Sequence, residues 1–145
     1  MRRVIPLLAL FAVCLQIASA QNLTSPMGLW KTFDDKTGEA KSLLRIYEQN
    51  GLYFGKVEKT LQPDAEKTCT KCTDDRKDQP IVGMVVMRKM KADGDEFTGG
   101  DILDPKNGKV YKCKFNLEDG GKKLKVRGFI GFSMLGRSQT WERVE

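Results

Sequence analysis

The C-terminal residues 122–145 carry the pattern that most restricts the fold of this chain. Apolar or small residues occupy every second position from 124 to 130, and most positions between them are charged. A period of two is that of a β-strand with one buried face. A glycine-containing bend follows at 132–136, and residues 138–144 predict a closing strand that carries Trp141 and Arg143. Because a strand pair on its own is marginally stable and leaves its edges exposed, the rest of the chain has to supply more strands.

The preceding sequence contains these strands, separated by turn residues. Asn50-Gly51 is among the strongest hairpin signals because both residues accept positive φ, and Gly55 predicts a bulge or a point of close approach. Together with the C-terminal pair, the segments give about eight antiparallel strands and an all-β fold. Closure into an up-and-down barrel removes the exposed edges, and a β-sandwich is the alternative. The predicted segments are 28–33, 43–48, 52–60, 81–90, 96–103 and 110–117.

Residues 1–20 have the pattern of a signal peptide. Arg2 and Arg3 precede an apolar stretch at 4–17, and Ala18-Ser19-Ala20 fits a signal-peptidase site. We therefore predict an exported protein, periplasmic or secreted. Residues 21–145 suit a single domain, which we expect to be a monomer.

The composition argues against most catalytic and metal-binding functions. The chain has no histidine, the commonest general base and metal ligand, and Ser133 does not lie in a nucleophile-elbow motif. Without Arg2 and Arg3 the net charge falls from +6 to +4. Basic and acidic residues are interspersed, so this charge is weak evidence for a nucleic-acid partner. We predict a protein that is not an enzyme and has no cofactor, metal or nucleic-acid partner.

The polar segment 61–79 predicts a long surface loop with a helical turn at 64–67. Its Cys69-Thr70-Lys71-Cys72 motif lacks the βαβ context of a thioredoxin-like site, and with Cys113 it supplies too few ligands for zinc. In an oxidising compartment we expect a structural disulfide between Cys69 and Cys72, with Cys113 buried and reduced. The alternative joins Cys113 to one of the loop cysteines.

Two features of the outer strands resemble the lipocalin-like, or calycin, superfamily. Gly28-x-Trp30 lies in the first strand and Arg143 in the last. The resemblance implies that Trp30 packs across one end of the barrel, with Arg143 laid over it. The chain is also similar to an exported bacterial family catalogued as domain of unknown function 2147, which implies a lipocalin-like barrel of unassigned activity. The similar stretches are 28–30, 51–57, 99–105, 108–111 and 124–141.

An eight-stranded barrel encloses either side chains or one small ligand. We predict that this barrel binds a small apolar or amphipathic molecule in its lumen or at its mouth. Arg127 has two interpretations, an inward clamp for an acidic head group or an outward, solvated side chain. The candidate lumen residues are Leu44, Ile46, Phe54, Val85, Met87, Tyr111, Phe115, Val126, Arg127 and Ile130.

The alternative function is an interaction module without a ligand cavity. It would contact an envelope protein or a membrane surface through the loop at 61–79 or the apolar bend at 132–137.

Overall fold

The computed structural model describes residues 23–131 and 136–145, which form a closed barrel of eight antiparallel strands. Each strand pairs with its neighbours in the chain, and β1 closes the barrel against β8. This confirms the predicted up-and-down barrel and excludes the sandwich. No helix within the described ranges is long and apolar enough to cross a membrane. The strands are β1 (Gly28–Phe33), β2 (Ala40–Gln49), β3 (Leu52–Thr60), β4 (Val85–Asp93), β5 (Glu96–Asp104), β6 (Lys109–Glu118), β7 (Lys123–Phe129) and β8 (Arg137–Arg143), with a short 3-10 turn at Asp119–Gly121.

The largest boundary difference lies before β4, which was predicted to begin at residue 81 and begins at Val85. The intervening residues form a turn in which the Met84 amide donates to the Ile81 carbonyl, 3.1 Å away. Gly83 adopts a φ of 91°, a conformation that glycine favours. The loop therefore runs from 61 to 84, and the helical turn expected at 64–67 does not form.

The up-and-down topology sorts the connections between strands to two ends. The hairpins at 49–52 and 93–96, the 3-10 turn and the segment 23–27 lie at one end, here called the closed end. The connections 34–39, 61–84 and 105–108 lie at the opposite, open end, together with the last residue of β7 and the first residue of β8.

Side chains fill the half of the barrel next to the closed end. Met90, Phe115 and Leu124 are fully buried there, and the ring of Phe115 stacks on that of Phe97 at 4.7 Å between centroids. Gly55 confirms the expected close approach, because a Cβ atom at that position would lie 2.8 Å from Leu44 Cδ2. This half is a packed core with no room for a ligand.

The loop 61–84 is fastened to the barrel. The structure contains the Cys69–Cys72 disulfide and leaves Cys113 reduced and buried, as the first of the two cysteine predictions states. Buried Arg76 donates to Asp74 Oδ2 at 2.6 Å and to the Val85 carbonyl at 3.0 Å, which ties the loop to the first residue of β4. The loop is therefore a fixed part of the open end.

Candidate ligand-binding site

A cavity of about 330 Å³ opens at the open end of the barrel. Its lower wall is apolar and includes Leu44 of β2, Val57 of β3, Val126 of β7 and Trp141 of β8. The packed half of the barrel forms its floor. The volume lies at the lower end of the range of about 300–1,000 Å³ that small-molecule sites occupy.

One side of the cavity is polar. We use the name polar stripe for Gln139, Thr32 and Ser42, which lie on the adjacent strands β8, β1 and β2. The hydroxyl oxygens of Thr32 and Ser42 are 2.7 Å apart, and Gln139 Oε1 accepts a hydrogen bond from Trp141 Nε1 at 3.0 Å. Gln139 Nε2 also donates to Asp35 at the mouth. The stripe is therefore held in position by its own hydrogen bonds.

Strands on the other side of the cavity present mostly apolar side chains, among them Ile102 of β5 and Val86 of β4. Tyr111 adds one hydroxyl group to this side, and that group accepts a hydrogen bond from Asn107 Nδ2 at 3.1 Å. A molecule in the cavity would thus meet hydrogen-bonding groups on one side and hydrocarbon on the other.

The mouth of the cavity is lined by charged residues, and three of those within the described part of the chain are cations. Each cation lies within 4 Å of a carboxylate oxygen: Lys41 with Asp104 at 3.6 Å, Lys106 with Asp34 at 3.7 Å, and Arg137 with Asp35 at 3.5 Å. The pKa of Asp34 is lowered, mainly because its carboxylate accepts the backbone N–H groups of Thr37 and Lys36. Within 23–131 and 136–145, no group of His, Cys, Asp and Glu residues is arranged to hold a metal ion.

Trp30 and Arg143, the residues singled out in the first and last strands, meet at the closed end. The guanidinium carbon of Arg143 lies 4.3 Å from the centre of the fully buried Trp30 ring. Arg143 also donates to the carbonyl oxygens of Ser25 at 2.6 Å, Met27 at 2.7 Å and Gly121 at 2.7 Å. One side chain thus joins β8 to the N-terminal segment and the 3-10 turn across the closed end.

The candidate lumen residues separate into three groups. Leu44, Tyr111 and Val126 line the cavity. Ile46, Met87 and Phe115 are almost fully buried inside the barrel, but none of the three is part of the cavity wall. The third group does not face the lumen.

Phe54 and Val85 were assigned to the lumen wrongly, since both lie on the outer face. Phe54 stacks on Tyr47 with the ring centroids 5.7 Å apart, and the inward position next to it belongs to Gly55. Val85 pairs with the exposed Lys56 and therefore faces outward with it. A bulge between β3 and β4 breaks the alternation of inward and outward side chains at this point.

Arg127 and Ile130 also face away from the lumen. Arg127 is paired across the sheet with Lys114 and donates to Ser138 Oγ at 3.0 Å, so the inward clamp for an acidic head group is wrong. Ile130 follows the last residue of β7, where the alternation of the strand no longer applies, and it is 63% exposed.

Sequence reasoning missed the polar stripe, although a signal for it exists. Thr32 lies two residues after Trp30, and Gln139 lies two residues before Trp141. Residues separated by two positions in a strand face the same side, so the two inward tryptophans point to both. The alternation along 124–130 correctly predicts that Gly128 faces inward, but it does not show that Gly128 forms part of a cavity wall.

Comparison with known proteins agrees with this architecture. The sequence matches, over residues 28–143, a family described as "Uncharacterized protein conserved in bacteria (DUF2147)". No curated protein matches it. Among solved structures, protein HP1028 from the human pathogen Helicobacter pylori, which belongs to the lipocalin family, superposes with a TM-score of 0.73 at 16% identity, over 83% of this chain and 84% of that one. At this identity the likeness shows a common fold.

Proposed function

Since the chain belongs to the DUF2147 family of uncharacterised bacterial proteins and folds as a lipocalin-like barrel, we propose that it binds a small amphipathic molecule in the cavity at its open end. The observation that carries the proposal is the cavity of about 330 Å³, placed above a packed floor and lined on one side by hydrocarbon. The floor and the hydrogen-bonded stripe are preformed, so a ligand would not have to order them on binding.

The lining favours an amphipathic molecule over a wholly apolar one. The cavity has room for about eleven water molecules at ~30 Å³ each. Displacement of such water from apolar walls favours binding, and each buried methylene group contributes about 0.8 kcal/mol. The polar stripe offers hydroxyl and amide partners that a pure hydrocarbon would leave unused.

Tryptophan fluorescence tests this proposal, because Trp141 lines the cavity and Trp30 lies buried at the closed end. We expect the neutral apolar dye N-phenyl-1-naphthylamine to bind with one-to-one stoichiometry, to gain fluorescence and to quench Trp141. The same titration of Trp141→Phe should retain the dye signal and show less tryptophan quenching. Absence of saturable dye binding by the folded protein would refute a binding cavity.

We also propose that the protein works outside the cytoplasm, in the periplasm or the medium. The signal-peptide pattern at 1–20 and the Cys69–Cys72 disulfide support this compartment. Protein isolated from its own host should begin at Gln21. Retention of Met1 in the intact protein would contradict the export proposal and leave the cavity unaffected.

An interaction with a membrane surface or an envelope protein is the second candidate function. Val82, Val110 and Ile130 are exposed by 53%, 42% and 63% respectively, and all three lie at the open end. A lipid surface that contacts these aliphatic side chains would lie at the open end, next to the cavity mouth. Co-sedimentation with vesicles that is lost when these three residues are replaced by serine would support this function.

A further inference from the structure

We propose that the molecule held in the cavity carries a positively charged group at the mouth, as an alkylammonium amphiphile does. This inference rests on the proposed function and adds the chemical class of the ligand. It follows from the charged residues that surround the mouth and from the positions of the polar stripe and the apolar wall below the mouth.

The cations at the mouth are already paired. Lys41, Lys106 and Arg137 each contact a carboxylate of the barrel or of its first loop. An anionic head group would have to compete with those carboxylates for a cation, and each exchange would leave an aspartate without its partner. The mouth therefore gives a negatively charged ligand little net gain.

Two further carboxylates line the same cavity and are exposed. Asp64 and Glu66 lie on the loop 61–84, and neither forms an ion pair with any residue of the described ranges. Backbone hydrogen bonds hold this part of the loop at the mouth: the Leu61 amide donates to the Lys41 carbonyl at 2.9 Å, and the Ala65 amide to the Gln62 carbonyl at 3.2 Å. The two carboxylates are thus retained where the head group of a ligand would lie.

The local charge is opposite to that of the chain as a whole. The chain carries a net charge of +6. Among the residues that the structure describes, however, the cavity is lined by more carboxylates than cations, namely Asp35, Asp64, Glu66 and Asp104 against Lys41, Lys106 and Arg137. A general preference for anions, expected from the net charge, is therefore reversed at the mouth.

The surfaces below the mouth fix the orientation of such a ligand. The lower wall is apolar at Leu44, Val57 and Val126, and on one side the polar stripe lies between this wall and the charged mouth. An alkyl chain inserted first would cover the floor, while its ammonium group would remain beside Asp64 and Glu66, partly in water. No charge would have to be buried.

Displacement of N-phenyl-1-naphthylamine by three probes with the same eight-carbon chain tests the inference. At pH 7 and low salt we expect octylamine to bind about tenfold more tightly than octanoate, with 1-octanol between them, as expected for two partly exposed charge contacts. The preference should shrink at higher ionic strength.

Variants locate the source of the preference. In the double variant Asp64→Asn, Glu66→Gln we expect octylamine and octanoate to bind within about twofold of each other. The control variant Asp95→Asn, Glu96→Gln removes the same number of charges from the hairpin at the closed end and should keep the preference of the native protein.

The outcomes distinguish the failure of the cationic-ligand proposal from the failure of the binding proposal. Octanoate binding as tightly as octylamine would overturn the cationic ligand and leave the cavity function standing. A preference for octylamine that survives in the Asp64, Glu66 variant would overturn the role of these carboxylates. Dye binding that none of the probes displaces would overturn the binding of amphiphiles in the cavity itself.

Discussion

Replacement of Gly128 by leucine should close the cavity without unfolding the barrel. Gly128 is on β7 and lines the cavity. A Cβ atom added there would lie 3.5 Å from Tyr111 Cβ and 3.8 Å from Ile102 Cγ2, which are ordinary van der Waals contacts. The backbone of Gly128 does not have positive φ, so a side chain is accepted without strain.

The size of the effect follows from the cavity volume. A leucine side chain adds four carbon atoms, which at ~30 Å³ each occupy more than a third of the cavity of about 330 Å³. If it displaces the same number of ligand carbons at about 0.8 kcal/mol each, binding weakens by about 3 kcal/mol, or about 200-fold. The stability should rise by about 1 kcal/mol, because a strand glycine is replaced and a partly exposed apolar wall is covered.

The assay is dye titration combined with urea unfolding of the same samples. Gly55→Ala is the control, because a Cβ atom at that position would lie 2.8 Å from Leu44 Cδ2 and 3.0 Å from Met87 Cβ, within the packed half. We expect this control to lose about 1–3 kcal/mol of stability and to keep its affinity for the dye. Native-like affinity in folded Gly128→Leu would refute the assignment of the site to this cavity.

Three further predictions concern the supports of the barrel. Arg143→Ala should lower the unfolding free energy by about 3 kcal/mol, because the contact with Trp30 and three hydrogen bonds to backbone carbonyls are lost. Urea unfolding measures this loss. A loss below about 1 kcal/mol would contradict the role of Arg143 at the closed end. The Arg76 side chain lowers the pKa of Asp74 to about 2, so the stability that this pair contributes is present above the ordinary aspartate pKa and is lost as the pH falls toward 2. Asp74→Asn should therefore cost about 1 kcal/mol at pH 7 after screening by solvent is allowed for, and progressively less as the pH falls through 2, whereas a cost that does not change with pH would contradict the pairing. Burial raises the pKa of the Cys113 thiol to about 12, with a smaller contribution from a nearby carboxylate. At pH 8 a thiol reagent should label Cys113 only after unfolding in urea, and rapid labelling of the native protein would show that the thiol is accessible.

The sequence predicts the bounds of β1 and β3 most closely. β1 and β3 begin and end at the predicted residues, and Asn50-Gly51 forms the expected hairpin. The start of β4 failed because Ile81 and Met84 are buried by the loop and not by a strand. A local apolar pattern does not distinguish these two kinds of burial.

The same limit explains the mixed result for the candidate site. Leu44, Tyr111 and Val126 were placed in the lumen because the period of two holds along their strands. Phe54 was misassigned because a large aromatic residue was preferred over its neighbour Gly55, and Val85 because the pairing of β3 with β4 is irregular there. Bulges of this kind are set by contacts between distant residues, so a single segment does not reveal them.

The position of the cavity follows from the sizes of the inward residues taken in order from the closed end. On β7 they decrease from Leu124 through Val126 to Gly128, and on β1 from Trp30 to Thr32. Smaller side chains on these two strands leave unfilled volume toward the mouth, on the side of the barrel that β1 and β7 form. Polarity rises along the same direction, because the inward residues closest to the mouth are those that water or a ligand can reach. On β1 and β7 the sequence therefore encodes the cavity as a decrease of side-chain volume toward the mouth, which no short motif contains.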